Sequence, residues 1–194
     1  MMPQFACHPA DRTMTDPRPP ILYVFLMPGR AVQQALDGHR AQWYWPRPAR
    51  QPKAHRLHLT MAVLGPQPDA AIADIRQALA GVEGPALHLH LGGARVWTHN
   101  GVAVLLAEPH PALMRLHADL AQVLRPWVPQ PPPWTPHVTL ARRAWEAAAP
   151  QGSDIDWAVD EFLLVRSWLP PHPVHHEVLA RYPLRGESAI PPNL

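Results

Sequence analysis

Two short stretches of the chain carry the same chemical pattern: His58, Leu59, Thr60 and Met61 in one, His137, Val138, Thr139 and Leu140 in the other. In an extended strand, residues two apart share a face, so each stretch presents a histidine beside a threonine and turns an apolar pair the other way. With 13 His and 6 Thr among 194 residues, about 0.4 His-x-Thr triplets are expected by chance, and two arise in roughly 5% of random arrangements. Both copies also follow proline-rich loops, WYWPRPARQPK at 43–53 and RPWVPQPPPWTP at 125–136. Two imidazoles on opposite sides of a phosphorus centre can divide acid and base work, because an ordinary pKa near 6.5 lets one be neutral while the other is protonated. The paired threonine hydroxyls can donate hydrogen bonds to non-bridging oxygens, where negative charge gathers in the transition state. This scheme requires neither metal nor cofactor.

The flanking sequence has to hold two such strands side by side. ILYVFLM at 21–27 is apolar on both sides of the pleat, which predicts a central strand covered on both faces and ended by Pro28 and Gly29. A helix follows at 30–42, and a strand at 56–64 carries the first motif. Ile72, Ile75 and Leu79 recur at helical spacing after Pro68 and Asp69, and Gly81 suits the helix end. ALHLHL at 86–91 alternates, while ARVW and GVAVLL flank an Asn100-Gly101 hairpin turn. Leu113, Leu116, Leu120 and Leu124 mark another amphipathic helix, stopped by Pro126. Each proline in 125–136 fixes its own backbone angle and biases the residue before it, so the loop reads as a stiff, extended lead into the second motif strand. EFLLVRSWL and EVLARYPL read as two closing strands, reached through a loop that holds Gly152 and Ser153.

Composition narrows the function classes. An apolar content of 47% supplies a buried core, and a formal charge of +2 is too small a surplus to coat a long nucleic-acid backbone. No apolar run approaches the roughly 18 residues that cross a bilayer, and the N-terminal order is not that of a secretion signal; the reading is a cytoplasmic protein without a membrane partner. The single cysteine, Cys7, can form no internal disulfide. Residues 1–20 and 186–194 mix proline, charge and isolated apolar residues, so a flexible leader and tail are expected around one domain at 21–185.

The two motifs in their contexts, with ILYVFLMP, HRLHLTMAVLGP, TPHVTLAR and the late segments LVRSWL and VLARYPL, resemble the 2H phosphoesterase superfamily. Within it the likeness is to the RNA 2',3'-cyclic phosphodiesterases, also called 2'-5' RNA ligases. It runs from about Ile21 to Leu184. The resemblance implies an α+β, bilobal fold in which two pseudo-symmetric antiparallel sheets flank a central cleft, with helices packed outside. It implies His58 as proton donor, His137 as proton acceptor, and Thr60, Thr139 and Arg142 as phosphate ligands, a guanidinium being able to hold two phosphate oxygens at once. The implied reaction is hydrolysis of an RNA end or nucleotide bearing a 2',3'-cyclic phosphate to the 2'-phosphate, by a monomer without a cofactor, with 2'-5' ligation of the cyclic phosphate to a 5' hydroxyl beside it. Where many relatives have an aromatic residue before the final strand, this chain has His175 and His176.

Competing readings attach to particular residues. A non-catalytic RNA-end binder would keep the same cleft. A histidine-bound metal hydrolase would use His88 with His90, or His172, His175 and His176, but no carboxylate or cysteine completes such a set at recognisable spacing. His55 falls on the opposite face from His58 and is expected to be exposed. Arg143 offers the same charge as Arg142. Trp43, Trp45 and Trp134, on loops feeding the motif strands, are the candidates for stacking on a base.

Overall fold

The chain lays down one unit twice. The computed structural model describes residues 18–170 and 173–185, so Cys7, His172, nearly all of the expected leader and the expected tail lie outside the described residues. The first copy of the unit is strand β1 (Ile21–Leu26), helix α1 (Arg30–Ala41), the first proline loop and motif strand β2 (Leu59–Gly65). After helix α2 (Asp69–Ala80) and strand β3 (Leu87–Trp97), the second copy is β4 (Val102–Ala107), α3 (Pro111–Val123), the second proline loop and motif strand β5 (His137–Ala141). Strands β6 (Ile155–Val159), β7 (Glu161–Trp168) and β8 (His175–Pro183) complete the fold.

All eight strands join in one antiparallel sheet, in the order β6-β3-β4-β5-β2-β1-β7-β8. The two motif strands are its centre, and they meet through a single registered pair, Leu59 with Val138. Each side of that joint is a four-stranded lobe, so the two expected sheets are present as halves of one curled sheet. Both joint residues are fully buried, as are Leu36 of α1, Ile75 and Leu79 of α2, and Leu113 and Leu120 of α3. Helix α1 lies against β6, α2 against β8 and α3 against β2, on the side that Leu59 and Val138 face. No helix of the described residues is long and apolar enough to cross a membrane.

Three elements differ from the sequence reading. The strand expected from residue 56 begins at Leu59, because Ala54–Arg56 wind into a 3-10 turn at the exit of the proline loop. The stretches ALHLHL and ARVW form one strand, β3, which runs through Gly92 and Gly93 with an irregularity in register between Leu91 and Gly93. Strand β6 lies where the sequence predicts a loop; its Ile155, Trp157 and Val159 point inward while Asp156 and Ala158 face solvent, a five-residue alternation hidden among Asp154, Asp156 and Asp160. Gly101 supplies the expected hairpin turn with φ of +66°.

Because Leu59 is fully buried at the only registered contact between the motif strands, Leu59→Ala is expected to destabilise the chain by about 2–5 kcal/mol. Urea denaturation checks this as a lowered midpoint with little change in slope.

Candidate active site

The two motif histidines are held in the same way. His58 leaves the 3-10 turn with Nδ1 2.7 Å from the carbonyl oxygen of Arg56, and His137 opens β5 with Nδ1 2.7 Å from the carbonyl oxygen of Thr135. A carbonyl only accepts, so in both rings Nδ1 carries the hydrogen and donates. Nε2 is therefore the nitrogen left for chemistry in each.

The Leu59–Val138 pair fixes how the four motif side chains are arranged. Continuing that antiparallel register by one residue sets His58 opposite Thr139 and Thr60 opposite His137. All four lie on the face that the buried Leu59 and Val138 turn away from, and the two histidines occupy diagonal corners. Diagonal neighbours in a regular pair are about 7–8 Å apart, and a single registered pair leaves the strands free to part on either side of it.

Aromatic walls surround the quartet. Phe25 of β1 stacks on His58 with ring centres 3.7 Å apart, and Tyr23 stacks on Phe25 at 5.0 Å. The ring of His176 on β8 meets both Phe25 and His58 edge to face, at 5.7 Å from each. Across the cleft, Trp97 at the end of β3 packs at 4.6 Å against His137.

These surroundings change the electrostatics assumed from the sequence. Burial pushes the His58 pKa down to about 4; the Arg56 carbonyl opposes the shift, and positive charge on His176, His137 and Arg142 adds to it. His137 is also lowered by burial, against the pull of its Thr135 hydrogen bond and with Arg142 adding to the effect. Burial thus favours the neutral form of both motif histidines near pH 7.

Arg142 sits at the mouth, immediately after β5. Its backbone pairs both ways with Arg50, N to O at 2.9 Å and O to N at 2.7 Å. Its charge acts on His58, His137 and Tyr23 together. Arg143 turns the chain with φ of +55° and exerts no such influence on these three groups, which separates the two arginines.

Other sequence candidates fall elsewhere. Trp43 and Trp45 stack on each other at 4.9 Å among core residues. Trp134 packs on His117 and donates from Nε1 to the Thr60 carbonyl at 2.8 Å, so it braces β2 from behind. His55 and His88 are exposed. The expectation that no carboxylate stands near the paired histidines of β3 is corrected by the β3–β6 pairing, which sets His90 against Asp156. His90 Nδ1 lies 3.0 Å from Asp156 and 3.9 Å from Asp154, with Glu108 4.0 Å from Nε2. These carboxylates are largely exposed, and the group contains neither motif histidine. The sequence alone points to no role at the site for Tyr23, Phe25, Trp97 or the buried Ser167. The two-sided apolarity of β1 was the available signal for the first two, its second face being the wall of the cleft.

The chain thus uses a strand–helix–strand unit twice, with matched histidine–threonine strands at the joint. Residues 28–169 match the sequence profile of the 2'-5' RNA ligase superfamily, and the chain belongs to that family. It is 33% identical over 155 residues to the RNA 2',3'-cyclic phosphodiesterase of Thermus thermophilus, covering 69% of this chain and 74% of the relative. Among solved structures, one described as a phosphoesterase superposes with a TM-score of 0.80 at 25% identity, over 87% of this chain and 100% of that one. E. coli LigT complexed with phosphate gives a TM-score of 0.75 at 25% identity, over 87% and 99%. The chain is a phosphoesterase of α+β fold.

The depression of His58 is checked by NMR titration of the histidine side chains. His58 is expected to protonate near pH 4, while a freely exposed imidazole does so near 6.5. Inorganic phosphate is expected to raise the His58 value.

Proposed function

We propose that this phosphoesterase opens a terminal ribonucleoside 2',3'-cyclic phosphate and leaves a 2'-phosphate. The observation that carries the reading is the matched pair of imidazoles, each locked through Nδ1–H to the carbonyl two residues before it, with both Nε2 atoms free over one joint.

In this reading Nε2 of His137 takes a proton from water as the water oxygen bonds to phosphorus. The bond from phosphorus to the 3' oxygen breaks, and Nε2–H of His58 delivers the proton that this oxygen needs to leave. The donor and acceptor roles follow the family resemblance. Thr60 and Thr139 donate to the non-bridging oxygens, and Arg142 neutralises the charge they gain. No metal takes part in any step.

The lowered pKa values fit this division once substrate is bound. The phosphodiester anion supports a proton on His58 that water alone does not, and an imidazole that resists protonation gives its proton up readily once charged. With a 5' hydroxyl in place of water, the same steps in the same direction form a 2'-5' linkage: the 5' oxygen bonds to phosphorus, His137 takes its proton and the 3' oxygen leaves with the proton from His58. The partner is accordingly an RNA end or a nucleotide with a cyclic phosphate.

The test incubates the protein with the four nucleoside 2',3'-cyclic monophosphates in EDTA and identifies the product isomer by phosphorus NMR. Turnover to the 2'-phosphate alone is expected. Loss of activity in chelator with rescue by added metal would favour a histidine-bound metal hydrolase, and binding without turnover an RNA-end binder. His58→Ala and His137→Ala are each expected to lower kcat by about 10²–10⁴-fold, and Thr60→Ala or Thr139→Ala by about 10². The free enzyme requires one protonated and one neutral histidine, and both pKa values lie below 6.5. The pH profile of kcat/KM is therefore expected to be a bell centred below pH 6.5, falling on the alkaline side as the single proton is lost. A maximum above pH 7 would contradict it.

A further inference from the structure

The two lobes are not equal at the phosphate. In the second lobe, Arg142 follows the motif threonine by three residues; in the first lobe that place belongs to Val63, which offers no donor. Opposite the mouth guarded by Arg142, the first lobe presents His176, edge-on to both His58 and Phe25.

The hydrogen bonding of His176 is the reverse of that of the motif histidines. Its Nδ1 lies 2.8 Å from Oγ of Ser167, a β7 residue with no exposed surface, across the β7–β8 pair Ser167–His176. A buried hydroxyl left with an unused hydrogen is costly, and Nδ1 of His176 is the acceptor beside it. The hydroxyl therefore donates to Nδ1, and the neutral ring carries its hydrogen on Nε2. The His175 backbone slightly favours the protonated ring, the smallest of the influences on it, while the buried Ser167 hydroxyl makes its one side-chain hydrogen bond to Nδ1. With Nδ1 held by Ser167, Nε2–H is the group left to face the cleft beside His58.

We infer that His176 is a substrate-contacting residue of the first lobe: a neutral Nε2–H donor, oriented by Ser167, that binds a phosphoryl oxygen where the second lobe uses Arg142. The inference rests on reading this cleft as a phosphodiester site. It separates the histidines by tautomer. His58 and His137 keep a bare Nε2 that can take and return a proton, whereas His176 is committed to donating a hydrogen bond and is no substitute base. Burial, and after it the positive charge of Arg56, hold the His176 pKa below its ordinary value, so a neutral donor is what remains.

The experiment has a substrate-free arm and a kinetic arm. Long-range proton–nitrogen NMR of the unmutated protein is expected to show His176 as the Nε2–H tautomer and His58 and His137 as Nδ1–H, with the His176 Nε2–H signal shifting as inorganic phosphate is added. His176→Phe keeps an aromatic ring and removes the donor; its kcat/KM on 2',3'-cyclic nucleotides is expected to fall about ten- to hundredfold, and its affinity for inorganic phosphate to weaken in step. His176→Gln places an amide N–H at comparable reach and is expected to recover to within about threefold of the parent. An Nδ1–H tautomer at His176, or His176→Phe with the parent's kcat/KM and phosphate affinity, would overturn the inference. The tautomer and phosphate measurements need no turnover, so absence of cyclic phosphodiesterase activity in the parent would strike the proposed reaction and leave this arm readable. Should His176→Phe fail to fold, the shift of the His176 Nε2–H signal on adding inorganic phosphate to the unmutated protein still decides, and a signal that phosphate leaves unmoved would overturn the inference.

Discussion

Everything at the site depends on one hydrogen bond made twice, from a histidine Nδ1–H to the backbone carbonyl two residues earlier. It fixes the tautomer, aims Nε2 at the cleft and costs the chain no additional side chain. It also explains the proline-rich loops. A carbonyl two residues upstream can be held at the right angle only if the chain arrives stiffly, and Pro136 immediately before His137 and the 3-10 turn before His58 each provide that. The same device at both motifs is what a repeated strand–helix–loop–strand unit produces without further invention.

The joint between the lobes follows from the same economy. A His-x-Thr strand must bury its alternate residues, and Leu59 with Val138 bury each other from the two motif strands. Packing and chemistry are then opposite faces of one two-residue contact. The aromatic surroundings of the rings on the chemical face, Phe25 on one side and Trp97 on the other, exclude water and lower both imidazole pKa values. In the proposed reaction a phosphate anion restores the proton that burial removes, so the site becomes electrically complete on binding substrate.

The local part of this was legible in the sequence. His58, Thr60, His137 and Thr139 are visible because strand alternation is a two-residue rule, and α2 and α3 because their leucines and isoleucines recur at steps of three and four residues. What depended on register between distant strands was not. The pairing of His90 with Asp156, of Ser167 with His176, and of Trp97 with His137 joins residues far apart in the chain, or across a hairpin, where no local period points from one to the other. The tryptophans near the motifs in sequence, Trp43, Trp45 and Trp134, were the natural candidates for the cleft. Trp43, Trp45 and Trp134 instead pack against the hydrophobic core, and Trp134 braces the Thr60 backbone. Strand β6 escaped because its inward residues are only Ile155, Trp157 and Val159. The drop of the His58 pKa to about 4 was invisible for a related reason, since it is produced by rings from β1 and β8.

The central claim is that Nε2 of His58 and Nε2 of His137 address opposite sides of one phosphorus atom. A crystal structure with a nucleoside vanadate, a five-coordinate mimic of the transition state, tests it most directly. The account predicts the vanadium between the two rings, with each Nε2 within about 2.6–3.2 Å of a different apical oxygen. Vanadate bound away from the Leu59–Val138 joint, or touched by one imidazole alone, would contradict it.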